Sequence, residues 1–92
     1  MSLQDEPQLI ELRLNNSPAA LPRLLLAFSR RRLLVSELVM LDDESGRPAT
    51  IRMGFRLDSS RMESFLRQIE RMPDIESVEW VGQPVSIAPV AA

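Results

Sequence analysis

The chain has 92 residues, 45% of them hydrophobic and 26% charged, with a net charge of −2. That is the size and composition of one small globular domain, and no apolar run approaches the ~20 residues of a membrane span. Every one of the eleven basic residues is arginine, and lysine, histidine, cysteine and tyrosine are absent. The common proton shuttles, nucleophiles and soft metal ligands are therefore missing, which argues against an enzyme and against a metal site. Without cysteine there is no disulfide framework, in keeping with a reducing, cytoplasmic setting.

Residues 1–7 lack periodicity and read as a disordered lead. From Gln8 the pattern alternates, with Ile10, Leu12 and Leu14 on one side and Leu9, Glu11 and Arg13 on the other, as in a half-buried strand. Asn15, Asn16, Ser17 and Pro18 are turn and helix-start residues. Leu21, Leu24, Leu25 and Phe28 then recur at helical spacing, with Pro22 allowed only in the first turn, so a helix begins near Ala20. Arg30, Arg31 and Arg32 end it, where cations suit the negative end of the helix dipole and commonly form no more than a solvated end.

A second strand is expected over Leu33 to Leu41, apolar on both faces: Leu34, Leu38 and Met40 on one, Leu33, Val35 and Val39 on the other. Such a strand is either central in its sheet or presents its second face to a partner. After a polar turn at residues 42–48, the third strand, Ala49 to Leu57, sends Ile51, Met53, Phe55 and Leu57 inward and Arg52, Gly54 and Arg56 outward. Asp58 caps a second helix whose core stripe is Met62, Phe65, Leu66, Ile69 and Met72, and Pro73 stops it. The last strand runs from about Ile75 to Val81 and carries Trp80, expected in the core or at its rim; residues 83–92 read as a flexible tail.

The order strand, helix, strand, strand, helix, strand predicts an α+β fold: a ferredoxin-like βαββαβ two-layer sandwich, with a four-stranded antiparallel sheet and two helices on one face. One domain spans residues 8–82. This element order serves several unrelated activities, and the residues discriminate among them. Base-stacking on an open sheet face needs rings there, but Phe55 falls on the helix side and Arg52, Gly54 and Arg56 have no ring between them, so no nucleic acid is expected. A phosphatase of acylphosphatase type needs a glycine-rich cradle after the first strand, and residues 16–20 contain no glycine.

The stretches Asn16-Ser17-Pro18-Ala19-Ala20-Leu21-Pro22-Arg23, Ala27-Phe28-Ser29-Arg30-Arg31 and Val35-Ser36-Glu37-Leu38 resemble the first half of an ACT domain. More narrowly they are similar to the small regulatory subunit of acetolactate synthase, over about residues 8–81. That resemblance implies a homodimer that activates a large catalytic subunit in branched-chain amino-acid biosynthesis, in the cytoplasm. Thiamine diphosphate, magnesium and FAD would belong to the catalytic partner, and this chain would hold no cofactor of its own.

The resemblance also implies an amino-acid site between two chains, with Asn16, Ser17, Ala19 and Ala20 on one side and Leu34 and Val35 on the other. Leu33, Val35 and Val39 would face the dimer partner. The chain departs from the family pattern at Ala19, Arg32 and Leu34, which stand where the family has glycine, glycine and asparagine. Loss of the asparagine amide and of close backbone approach predicts weak or lost valine feedback. A stand-alone ACT domain that senses a small amino-acid-like ligand is the alternative, and Asn16 and Ser17 also suffice as plain turn residues.

Overall fold

A computed structural model describes residues 5–15, 17–41 and 50–82. Its elements are β1 (Asp5–Leu14), α1 (Ala20–Arg30), β2 (Val35–Leu41), β3 (Thr50–Asp58), α2 (Ser59–Glu70) and β4 (Ile75–Gly82). They form a two-layer α+β sandwich on one antiparallel sheet of order β2-β3-β1-β4, the ferredoxin-like arrangement. The first strand starts at Asp5, so residues 5–7 belong to the sheet and not to a lead: they pair with Asp58, Leu57 and Arg56. The turn at 42–48, Ala49 and the tail at 83–92 lie outside the described residues, as does Asn16.

The core is the face on which two alternating strands meet two helical stripes. Ile10, Leu12 and Leu14 of β1 and Ile51, Met53, Phe55 and Leu57 of β3 are all buried on one side of the sheet. Met62, Phe65 and Ile69 of α2 close over them, with Leu66 and Met72 at the margin. Asp58 caps α2 as its side chain accepts the Ser60 N–H at 3.0 Å. On α1 the stripe is Ala20, Leu24 and Phe28, flanked by Leu21 and Ala27. Leu25, expected in that stripe, is instead 38% exposed.

The second strand lies at the edge of the sheet, which excludes the first of its two alternatives, a central position. A bulge also interrupts its alternation: Val35 pairs with Phe55 and Glu37 with Gly54, which leaves Ser36 unpaired between them. The extra residue moves Val35 to the helix side with Leu38 and Met40, while Glu37, Val39 and Leu41 face the open side. Gly54 stands opposite the bulge, where a Cβ would lie 3.3 Å from that of Glu37, a tight contact, and 3.4 Å from the Ser36 hydroxyl.

The end of α1 is a full Schellman motif. Leu33 N–H reaches Phe28 C=O and Arg32 N–H reaches Ser29 C=O, at 3.0 and 2.9 Å. The motif needs a left-handed residue, and Arg32 supplies it at φ 57°. An L side chain pays about 1–2 kcal/mol there, partly offset by the lower entropy of its unfolded state relative to glycine. Arg32→Gly is therefore expected to stabilise the domain by about 0.5–1 kcal/mol, seen as a thermal midpoint raised by about 3–6 °C.

Candidate functional site

The loop after β1 is built by two short side chains, those of Asn15 and Ser17. Asn15 Oδ1 accepts the Ser17 N–H at 3.0 Å, and Ser17 Oγ accepts the Ala19 N–H at 3.2 Å. Ser17 C=O accepts the Ala20 N–H at 3.1 Å, and Ala19, the residue before the helix, receives the Arg23 N–H on its carbonyl. Both backbone donors that a ligand carboxylate would meet, at Ala19 and Ala20, are thus engaged within the loop itself.

A second set of bonds moors this loop to the turn before β4. Asn15 N–H donates to Asp74 C=O at 2.9 Å, and Asn15 Nδ2 to Asp74 Oδ1 at 3.3 Å. Arg23 Nη1 reaches Asp74 Oδ2 at 3.0 Å, and the Asp74 side chain is 5% exposed. A buried carboxylate without such partners would be strongly destabilising, so the triad holds the loop in one shape. In the sequence Asn15 reads as a turn residue and Arg23 as part of the stretch quoted above, and nothing in the local pattern joins either of them to Asp74, 59 positions from Asn15.

Of the expected ligand residues, Ser17, Ala19 and Ala20 come together in this loop. Leu34 and Val35 lie beyond the other end of α1, whose eleven residues span about 16 Å. A site uniting the two groups needs two chains, as the resemblance implies. Leu34 is 80% exposed and Val35 half-buried.

The two sheet edges differ. On β4, Glu76 and Glu79 are exposed and extra residues at Glu76 and Val81 break the ladder twice. Charges and bulges of this kind keep an edge from pairing with another chain. On β2 the ladder from Glu37 to Leu41 is regular, and Val39, Met40 and Leu41 are 40%, 51% and 43% exposed. Of the expected dimer-facing residues, Val39 lies on this open stretch. Leu33 and Val35 pack against the core instead, because the Schellman turn and the bulge rotate them inward.

Beyond the edge, the open face carries charges of both signs. Val39 sits opposite Arg52, Arg52 Nη2 bonds Glu11 Oε1 at 3.1 Å, and Glu11 pairs across to Glu79. No aromatic side chain stands among them. Among the described residues no cluster of acidic side chains could hold a metal ion, and no helix is long and apolar enough to cross a membrane. A scan against protein-family models and a search of curated proteins returned no match.

Proposed function

We propose that this chain is a small regulatory subunit of acetolactate synthase type, an ACT domain that dimerises through β2 and activates a large catalytic subunit in branched-chain amino-acid biosynthesis. The observation that carries the reading is the β2 edge, regular in its ladder from Glu37 to Leu41 and apolar at Val39, Met40 and Leu41. A second copy pairing there would extend the sheet and cover those side chains. The engaged N–H groups of Ala19 and Ala20 support the expectation of weak or lost valine feedback, since a ligand would have to displace Ser17 from both. Thiamine diphosphate, magnesium and FAD are assigned to the catalytic partner.

The test is to add the purified chain to an acetolactate synthase catalytic subunit. Turnover is expected to rise, and calorimetry is expected to show no micromolar valine binding. No rise, with an amino acid bound tightly, would instead favour a stand-alone sensing domain.

Val39→Asp separates the dimer from the fold. The aspartate would lie opposite Arg52 and can pair with it in the monomer, but in a β2–β2 interface it places a charge among apolar groups. Light scattering is expected to find a dimer in the parent chain and a folded monomer in the variant. Two monomers would remove both the dimer and the site between chains.

A further inference from the structure

We infer that the flank of α1 turned toward α2 docks an acidic segment of the catalytic subunit, one that carries an apolar side chain between its carboxylates. Such docking rests on the function proposed above, which supplies the partner, and the residues of α1 add how that partner is held.

The helix and its terminal turn are one-sided in charge. Ala20 to Arg32 holds four of the eleven arginines and no acidic residue, in a chain whose net charge is −2. Arg23 and Arg30 stand three residues before and four residues after Leu26, which puts all three on one helical ridge, with Arg31 beside it. Leu26 is 48% exposed in the middle of that ridge. With Ala27, and with Met72 beyond the end of α2, it lines a cavity of about 310 Å³ whose other walls are Arg23, Arg30 and Arg31. No carboxylate is among the described lining residues.

The three arginines differ in what already holds them. Arg23 pairs with Asp74 at 3.0 Å, which fixes the start of the ridge. Arg31 donates to Gln68 Oε1 and to Ala27 C=O, neutral acceptors that orient the guanidinium and leave its charge uncompensated. The Arg30 side chain has no hydrogen-bonding or ionic partner among the described residues. A merely solvated helix end accounts for the charges but not for a leucine left in water between them.

Charge and shape together choose the occupant. Two uncompensated guanidinium groups call for carboxylates, which arginine meets with paired hydrogen bonds. Leu26, Ala27 and Met72 call for an apolar group, and a cavity at the low end of the roughly 300–1,000 Å³ of ligand pockets seats a side chain better than a separate molecule. A nucleic-acid backbone would satisfy the arginines and leave Leu26 wet. A membrane surface selects several large apolar side chains on one helix face, and this ridge has one. The opposite flank of α1, with Leu25 and Ser29, lines the hollow beside Leu34 and Val35 at the start of β2. A second copy at β2 therefore leaves the Arg30 flank open, and the chain can hold both at once.

The experiment measures the concentration of chain that half-activates an acetolactate synthase catalytic subunit, for the parent, Arg30→Glu, Leu26→Asp and Arg13→Glu. Leu26 and Arg30 are exposed on α1, so both variants there should keep the parent's circular dichroism and oligomeric state. Each is expected to raise the half-activating concentration about tenfold. Added salt should weaken the parent more than Arg30→Glu. Arg13→Glu makes the same charge change at an exposed position on the open face of the sheet and should leave that concentration unchanged. Equal activation by the parent and both α1 variants, or an equal loss in Arg13→Glu, overturns the docking flank while the proposed function stands. No activation by the parent overturns both. Capture of the parent on vesicles of phosphatidylcholine and phosphatidylserine, lost in Arg30→Glu, would assign the flank to a lipid surface and also overturn it.

Discussion

Phe28→Ala is expected to lower the thermal midpoint by about 15–30 °C, the largest loss from any single truncation of this core. Phe28 belongs to α1, Phe55 to β3 and Phe65 to α2, and the three rings close on one another. Phe28 meets Phe55 at 5.2 Å and 79°, and Phe65 at 5.3 Å and 81°, both edge-to-face, while Phe55 and Phe65 are tilted at 5.3 Å and 55°. One side chain thus joins both helices to the sheet, and edge-to-face pairs add about 0.5–1.5 kcal/mol each beyond buried area. Truncation of a buried phenylalanine costs about 3–5 kcal/mol, against a total stability of about 5–14 kcal/mol for a chain of this length. Phe28→Leu, which keeps most of the volume, should lose about 1–2 kcal/mol. Circular dichroism melts at one fixed protein concentration measure both, since a dimer would make the midpoint concentration-dependent. A loss in Phe28→Ala no greater than in Phe28→Leu would show that α1 is not anchored through this ring.

The aromatic cluster also marks what was legible in the sequence. Element order, the inward faces of β1 and β3, the α2 stripe and the Asp58 cap all follow from local periodicity and capping chemistry, and the structure agrees with each. What periodicity could not reveal came from single residues. Ser36 reads as one polar break in a greasy strand, yet as an extra residue it reverses the phase of Val35. Leu25 fits the helical spacing as well as Ala27 does, yet Ala27 packs on the core and Leu25 is exposed. The turn after β1 is legible in its residues, but its moorings to Asp74 are contacts across most of the chain, and no local pattern carries them.

Gln8 is the other such residue, and its replacement carries the second large effect. It stands in the inward register of β1, opposite Phe55, and has no exposed surface. Its Nε2 donates to Leu57 C=O at 2.9 Å and to Ser59 Oγ at 3.0 Å, and its Oε1 accepts from Trp80 Nε1 at 3.0 Å. The amide orientation follows from chemistry, because an indole N–H can only donate and a carbonyl can only accept. Gln8→Leu keeps the volume but leaves those groups without partners, which costs about 2–4 kcal/mol and about 10–25 °C in thermal midpoint. Gln8→Glu is the sharper probe, since an ionised carboxylate still serves Trp80 but faces the Leu57 carbonyl with no proton to give. Burial without a cation raises the folded-state pKa of that carboxyl above its unfolded value of about 4.3. The destabilisation is therefore fully present above the raised pKa, and the gap to the parent chain narrows as the pH falls through it. Trp80 is the single tryptophan, so its indole N–H resonance reads the network directly. That resonance should shift strongly in Gln8→Leu and little in Gln8→Glu, whereas equal shifts in both would mean that Gln8 does not hold Trp80.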